Sequence, residues 1–355
     1  MRGFNVNKDN RPGMKERISR FLIKKNVQLS PRIYFIDALG YMALGLFASL
    51  LIGTILNTLG QQLNISFLTE TLWPMAQAMT GPSIGVAAAY ALGAPPLVLF
   101  SSTVTGAAGY ALGGPAGAYV AALIGAEFGK LVSKETKLDI ILTPGVTLSV
   151  GVWVGTVIGP VIGGIMTAAG NFVMYATELA PLSMGILVSA IFGVTLTLPL
   201  SSAALSLMLG LEGIAAGAAT AGCCAHMIGF AFMSFKENGW SGLFSQGLGT
   251  SMLQIPNLIR NPRCWIPPII VSLITGPMAT VLFQMENSAA GAGMGTSGLV
   301  GIIETFNTMG GSPRVILGVV ILYILMPAVL TPWIAGFMRK KGWIKEGDLK
   351  LDLMK

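Results

Sequence analysis

Charged side chains are scarce in this sequence. Only 10% of the 355 residues are Asp, Glu, Lys or Arg, whereas 53% are hydrophobic. Soluble domains carry about 25% charged residues, so this composition excludes a soluble globular protein and leaves little chain for a separate soluble domain. The sequence therefore predicts an all-α polytopic membrane protein.

Cysteine and histidine are also rare. The cysteines are Cys223, Cys224 and Cys264, and their spacing matches neither a disulfide framework nor a metal site, so we interpret them as packing residues. The sequence contains no HExxH motif, no CxxC motif and no nucleotide-binding glycine loop after a strand. We therefore expect no metal and no cofactor. The net charge of +7 does not indicate nucleic acid, because the basic residues lie at the ends of apolar segments.

Apolar segments divide the chain into about ten predicted transmembrane spans, since a helix needs about 20 residues to cross a bilayer. The third and the seventh segments are short, which favours half-helices or re-entrant segments there. The predicted spans are residues 34–59, 72–93, 96–112, 114–133, 144–167, 181–199, 201–211, 213–235, 264–284 and 313–338.

Basic residues lie between these spans in an asymmetric pattern. Residues 1–33 form a basic N-terminal segment, residues 34–338 the membrane domain and residues 339–355 a basic tail. With the N-terminus in the cytoplasm, Arg314 is the only one of the 22 Lys and Arg residues on the outer side. Cytoplasmic loops are enriched in Lys and Arg, so we expect both termini in the cytoplasm. Residues 15–29 form either a basic amphipathic helix on the membrane or a solvated tail.

Two internal repeats are predicted, at about residues 72–167 and 181–284. LVLFSS at 97–102 resembles LTLPLSS at 196–202, and TVIGPV at 156–161 resembles LITGPM at 273–278. Matching loops are basic in both copies, which favours repeats of one orientation, related by an axis along the membrane normal. An inverted pair remains the alternative if one short span is re-entrant. Solute sites in such proteins lie at the repeat interface.

Some polar residues occupy corresponding places in the two repeats. Ser101-Ser102 and Ser201-Ser202 fall where both repeats are broken, and they either line a site or hydrogen-bond to their own helices. His226 is the only histidine, and Glu127 occupies the matching place in the first repeat. A histidine in an apolar span is either a packing residue or a group that binds solute or protons. Glu127 is also placed to pair with Lys130 on its own helix.

Glycines and small polar residues crowd residues 286–311, between two apolar segments. An interior glycine costs a helix about 1 kcal/mol relative to alanine, so this stretch is a poor continuous helix. Non-helical backbone at membrane depth is tolerated only inside protein or along a wet cavity. The stretch therefore predicts a re-entrant or broken-helix element that builds a solute site, and the alternative is an ordinary loop outside the membrane.

Glu304, just after the glycine run, is the main candidate for solute binding. A charge buried in a bilayer costs several kcal/mol, so an acid within a membrane-spanning protein is a candidate functional residue. It would accept hydrogen bonds from hydroxyl groups or take up a proton. Neighbouring side chains and unwound glycine backbone add neutral donors and acceptors. The candidate residues are Glu304, Asn307, Thr296, Ser297, Gly293, Gly295, His226, Glu286, Asn287, Ser101, Ser102, Ser201 and Ser202, with Glu286 and Asn287 nearer the predicted surface.

These features together resemble a known family. The Gly/Pro-broken spans, the run GAGMGTSGLVGIIE at 291–304 and the basic N-terminal extension are similar to the second type of phosphotransferase-system EIIC membrane domain, a family that includes proteins labelled as regulators of perfringolysin O expression. The resemblance covers about residues 30–340. It implies a multi-pass protein of the bacterial inner membrane that translocates a sugar while a partner EIIB domain phosphorylates it.

The resemblance also implies a role for one acid. In better-known EIIC proteins a Gly-Ile-Thr-Glu motif supplies a sugar-binding glutamate, with a histidine nearby. Gly301-Ile302-Ile303-Glu304 is similar but differs at its third position, so the role is carried over to Glu304 and, more weakly, to His226. The expected partners are a sugar or similar polar solute, cytosolic EIIB and EIIA proteins, the lipid bilayer and a second copy of the chain. The alternatives are a phosphate-independent solute or ion transporter or channel, and a membrane sensor-regulator.

Overall fold

The computed structural model describes residues 14–177 and 180–351. Within these ranges the chain is helical, and the only β pairing is an isolated bridge between Gly213 and Asn287. The predicted all-α class is therefore confirmed. The parts of the predicted terminal segments at residues 1–13 and 352–355 lie outside the described residues.

The chain alternates long apolar helices with short connecting ones. In chain order they are α1 (Met14–Lys24), α2 (Ile33–Leu63), α3 (67–78), α4 (Thr80–Ala91), α5 (Pro96–Val132), α6 (Asp139–Thr177), α7 (Pro181–Thr197), α8 (Ser202–Met208), α9 (Gly213–Met233), α10 (Phe235–Phe244), α11 (Ile255–Arg260), α12 (Pro262–Phe283), α13 (Ala289–Ala292), α14 (Val300–Met309) and α15 (Pro313–Lys340).

Six helices among the described residues are long and apolar enough to cross a bilayer, namely α2, α5, α6 over residues 139–165, α9, α12 and α15. Helix α7 is apolar but shorter. A multi-pass membrane protein is thus supported. The count of ten spans and the internal repeats stay predictions.

Helix α5 is a hairpin of two helical limbs. Gly113 (φ −138°, ψ 15°) and Gly114 (φ 58°, ψ −151°) are not helical, and Pro115 begins the second limb. A Cβ built on Gly109 would lie 2.3 Å from the carbonyl oxygen of Gly117, which places the two limbs side by side. The boundary predicted between residues 112 and 114 coincides with this turn.

Glycine lets the helices approach closely. A Cβ on Gly85 of α4 would lie 2.1 Å from the carbonyl oxygen of Ser102 on α5, and one on Gly222 of α9 would lie 1.9 Å from that of Ser189 on α7. Small residues at helix contacts are typical of membrane proteins, where van der Waals packing drives helix association. The high glycine content, 46 residues, is thus used in part for packing.

Basic residues gather at one end of the helix bundle, which we call the basic end. There the Nζ of Lys25 lies 2.5 Å from the carboxylate of Glu135, and the Nζ of Lys130 donates to the carbonyl oxygen of Leu92 at 3.0 Å. Arg314 lies at the opposite end, where it donates to the carbonyl oxygen of Leu282. The basic end comprises residues 24–32, 92–95, 133–138, 234–261 with the short helices α10 and α11, and 341–351.

The buried side chains form clusters that divide the bundle into an N-terminal half (α2–α6) and a C-terminal half (α7–α15). One cluster joins α2, α4 and α5, and the others join α7, α9, α12 and α15. The end of α6 packs with the C-terminal half, because Val173 and Ala176 belong to a cluster with α7 and α9. The loop at residues 245–257, which we call the floor loop, departs from this division. It follows α10 in the C-terminal half, yet Met252, Leu253 and Ile255 pack into the N-terminal cluster.

Candidate solute-binding site

Residues 287–309 fold back on themselves, and we call this element the glycine hairpin. Helix α13 forms one limb and α14 the other, and Gly295, Gly298 and Leu299 adopt positive φ values of 54°, 54° and 61° in the turn between them. The ends of the hairpin meet, since the backbone N–H of Glu286 donates to the Sδ of Met309 at 3.0 Å. The glycine run thus bends sharply without continuous helix.

Asn287 holds the two limbs together and fastens them to α9. Its Nδ2 donates to Thr220 Oγ1 at 2.7 Å, to the carbonyl oxygen of Gly301 at 2.9 Å and to Thr305 Oγ1 at 3.1 Å. Its Oδ1 accepts from the backbone N–H of Ser288. Asn287 is buried, although the sequence placed it near the surface. Both polar atoms of its side-chain amide are therefore hydrogen-bonded within the protein.

Glu304 projects from α14 toward the other limb and is half-buried. Its Oε2 accepts a hydrogen bond from Ser288 Oγ at 2.8 Å, and its Oε1 accepts one from Asn307 Nδ2 at 3.1 Å. Both neighbours are uncharged, so the carboxylate is oriented without being neutralised by a cation. Oriented carboxylate oxygens of this kind can accept further hydrogen bonds from a ligand.

A cavity of about 430 Å³ lies between the two halves of the bundle and is closed on one side by the glycine hairpin. We call it the hairpin cavity. Four predicted site residues, Glu304, Ser297, Ser201 and Ser202, line it. Of its described lining residues, only Glu304 is charged. The polar and aromatic lining residues are Thr54, Asn57, Thr58, Gln61, Trp73, Gln77, Tyr110, Ser201, Ser202, Thr250, Ser297 and Glu304.

Ser297 is 2% exposed, and its hydroxyl has no hydrogen-bond partner among the described residues. Buried polar groups are almost always hydrogen-bonded, so an orphaned hydroxyl that faces a cavity indicates a ligand or water there. Its neighbour Thr296 is satisfied, because its hydroxyl donates to the carbonyl oxygen of Gly247 in the floor loop. The turn of the hairpin therefore offers one free polar group to the cavity.

The N-terminal half contributes a polar stripe that our sequence reasoning missed. Thr54, Asn57, Thr58 and Gln61 follow one face of α2 with helical spacing and line the cavity. The signal was present, because polar residues at positions i, i+3, i+4 and i+7 of an apolar span indicate a polar lining. Trp73, Gln77 and Tyr110 complete this wall from α3 and α5.

The serine pairs of the two predicted repeats differ. Ser202 lines the cavity, and its hydroxyl donates to the carbonyl oxygen of Gly293 at 2.6 Å. The hydroxyls of Ser101 and Ser102 instead donate back to Leu97 and Val98 on their own helix, each at 2.8 Å, and neither serine lines the cavity. Ser101 and Ser102 therefore hydrogen-bond to their own helix and do not line the site.

His226 lies outside the cavity lining and is fully buried. Its Nδ1 lies 2.9 Å from Thr197 Oγ1, which in turn lies 2.9 Å from Ser251 Oγ. Glu127 lies beside a separate cavity of about 580 Å³ at the basic end, where its carboxylate is 3.1 Å from the Nζ of Lys130. Glu127 and His226 occupy corresponding positions in the two predicted repeats, but they do not lie in the same site.

Other predicted site residues lie close to the cavity without lining it. Asn307 is exposed and reaches it only through Glu304, and the side chain of Glu286 is exposed. Gly293 and Gly295 serve close packing, since a Cβ on Gly293 would lie 2.3 Å from the carbonyl oxygen of Ser202 and one on Gly295 would lie 2.7 Å from the Cβ of Cys223. Within the described residues, no three His, Cys, Asp or Glu side chains gather as a metal site.

Comparison with known proteins identifies the family. The family model for the phosphotransferase system EIIC matches residues 36–351, which is nearly the whole chain. No curated protein and no solved structure matches the chain. The resemblance drawn from the run at 291–304 is confirmed by this match. The chain therefore belongs to the phosphotransferase system EIIC family.

Proposed function

We propose that the protein is the membrane permease subunit of a sugar phosphotransferase system and that a sugar or similar polar solute binds in the hairpin cavity. One observation carries the proposal. The glycine hairpin brings the Glu304 carboxylate and the orphaned Ser297 hydroxyl to the same cavity as the polar stripe of α2. Pockets with apolar and aromatic walls and a few oriented polar groups are typical of small-molecule sites.

The lining suits an uncharged solute with several hydroxyl groups. The carboxylate of Glu304 accepts hydrogen bonds from hydroxyls, and the side-chain amides of Asn57, Gln61 and Gln77 both donate and accept them. Trp73 provides an aromatic surface for the apolar face of a sugar ring. The absence of Lys, Arg and His from the described lining disfavours an anionic solute.

The proposed position in the membrane follows from the same elements. The glycine hairpin enters the bilayer from the end opposite the basic end, and its non-helical turn is tolerated because it is enclosed by protein and lines a cavity. The basic end faces the cytoplasm of a bacterial cell, with both termini on that side. The repeat hypothesis gains support from the similar stretches Leu112-Gly113-Gly114 and Leu211-Glu212-Gly213, whose last glycines have φ values of 58° and 65°.

Phosphorylation of the solute would require a partner protein. All three cysteines are buried and His226 is fully buried, so none of these side chains is placed to exchange phosphate with a cytosolic donor. This supports the expected EIIB and EIIA partners, which would act at the basic end. A homo-oligomer remains our expectation.

The test is uptake into proteoliposomes of a panel of radiolabelled hexoses, hexosamines and disaccharides, with and without cytosolic phosphotransferase proteins and phosphoenolpyruvate. We expect at least one sugar to accumulate as its phosphate ester only when the cytosolic proteins are present. Uptake of a free sugar or ion without them would favour a phosphate-independent transporter. If purified protein neither takes up nor binds any sugar of the panel, the proposal is wrong.

A further inference from the structure

A strap crosses the basic end. Residues 343–351, which we call the C-terminal strap, carry no regular helix and lie on α10, the floor loop and α11. Asn238 forms two hydrogen bonds to the strap backbone. Its Nδ2 donates to the carbonyl oxygen of Leu349 and its Oδ1 accepts from the N–H of Leu351, both at 2.8 Å.

Further side chains hold the same backbone. Gln254 Nε2 donates to the Leu349 carbonyl oxygen at 3.1 Å, and Asn257 Nδ2 donates to the Lys350 carbonyl oxygen at 2.9 Å. Asn257 is almost fully buried and Gln254 fully buried. Buried side-chain amides are costly to leave unpaired, so these bonds favour the docked position of the strap.

Two leucines of the strap pack into different halves of the bundle. Leu349 is fully buried in the C-terminal half, in a cluster with Phe230 and Met338. Leu351, 9% exposed, belongs to the N-terminal cluster, which includes Leu39 and Met42 of α2 and Leu253 of the floor loop. The strap therefore bridges the two halves, and they cannot separate at the basic end unless one leucine leaves its cluster.

The strap is connected to the hairpin cavity through the floor loop. Gln254, which binds the strap, also donates to Gln246 Oε1 at 2.8 Å. Between these two glutamines, Gly249, Thr250 and Met252 line the cavity. The hairpin turn is bonded to the same loop through Thr296 and the Gly247 carbonyl oxygen.

We propose that the C-terminal strap controls access to the hairpin cavity: when docked, it holds the floor loop over the side of the cavity toward the basic end, and its release opens the cavity there. The inference rests on the proposed function in two respects, since it takes the cavity to be the path of the solute and the basic end to face the cytoplasm. Transport by alternating access requires the halves of a permease to separate at one end at a time. A strap with one leucine in each half opposes that separation.

The test measures access to the cavity without using any solute. Ala203, a lining residue, is replaced by Cys in the full-length protein, in inside-out membrane vesicles treated with a membrane-impermeant maleimide. Leu349→Asp is then added to release the strap, and exposure of Lys350 to trypsin reports the release. We expect labelling of the introduced thiol about tenfold faster, which corresponds to a loss of about 1.4 kcal/mol from the docked state. Glu346→Ala, at an exposed position of the strap, is the matched control. It should change neither the rate of maleimide labelling nor the rate of trypsin cleavage at Lys350.

The outcomes distinguish a failure of the strap proposal from a failure of the proposed function. Faster cleavage at Lys350 with unchanged labelling would overturn the proposal. Should Leu349→Asp fail to fold, the milder substitutions Asn238→Ala and Asn257→Ala replace it. Unchanged trypsin cleavage at Lys350 in these folded variants would also overturn the proposal, because the two asparagines would then not hold the strap. Strap-dependent labelling in a protein that takes up no sugar would remove the proposed function alone. Phosphate-dependent uptake with strap-independent labelling would remove only the strap.

Discussion

Ser288 and Glu304 join the two limbs of the glycine hairpin, with the serine hydroxyl donating to Oε2 of the carboxylate at 2.8 Å. The two residues lie 16 positions apart, and the sharp turn at Gly295, Gly298 and Leu299 brings them together. The bond fixes the direction of a carboxylate that faces the hairpin cavity. It therefore links the local conformation of a glycine-rich segment to the geometry of the proposed site.

The carboxylate itself is the first target. Glu304→Gln keeps the shape of the side chain but replaces one acceptor oxygen by a donor. A hydrogen bond to a charged group contributes about 1.5–3 kcal/mol, so we expect solute affinity to fall about 10- to 100-fold. The measurement is binding and uptake of the best-transported sugar of the panel. Glu286→Gln, at an exposed position outside the cavity, is the control. Unchanged affinity in Glu304→Gln would remove Glu304 from the site.

Ser288 is expected to act through Glu304. In Ser288→Ala the carboxylate keeps its charge but loses one orienting bond, so the affinity for the same sugar should fall only about fivefold, in line with about 1 kcal/mol for a single hydrogen bond. Thr103→Ala removes a hydroxyl that is bonded to its own helix away from the cavity and should leave affinity unchanged. In the Glu304→Gln background, Ser288→Ala should add little. An additive loss would show that the two residues act independently.

Asn287 is expected to matter for stability. Asn287→Ala removes the donor that joins Thr220, Gly301 and Thr305, although both threonines keep bonds to backbone carbonyl oxygens. We expect a loss of about 2 kcal/mol and a lower apparent melting temperature in detergent. Asn307→Ala truncates an exposed asparagine of the same hairpin and should have little effect on melting. Equal melting temperatures for the two variants would mean that the Asn287 amide does not stabilise the hairpin.

Sequence patterns predicted the backbone of this fold better than its contacts. The turn at Gly113 and Gly114 was predictable because two glycines before a proline interrupt a helix, and the hairpin was indicated by its glycine density. Which helix would face the hairpin was not predictable, because that depends on how the two halves pack. His226 attracted attention as the only histidine, yet it lies beside Thr197, outside the lining.

The missed polar stripe on α2 gives a prediction with a matched control. Gln61 lines the cavity, whereas Gln62, the next residue of the same helix, does not. Gln61→Leu should lower the affinity for the transported sugar about five- to tenfold, since a net hydrogen bond contributes about 1 kcal/mol. Gln62→Leu makes the same chemical change on another face and should leave affinity unaltered. Equal effects of the two substitutions in the binding assay would place the solute away from α2.

The turn of the α5 hairpin depends on backbone conformation alone at Gly114. A Cβ there would meet no described atom within 4 Å, but φ 58° with ψ −151° is a conformation that is essentially confined to glycine. Gly114→Ala should therefore destabilise the protein by about 1–3 kcal/mol through strain without a clash. Gly145, inside α6, likewise has no described atom within 4 Å of a built Cβ, but its backbone is helical. Gly145→Ala should leave the melting temperature unchanged or raise it, because alanine favours helix by about 1 kcal/mol. If both variants melt like the unmodified protein, the two limbs of α5 do not depend on a glycine-specific turn.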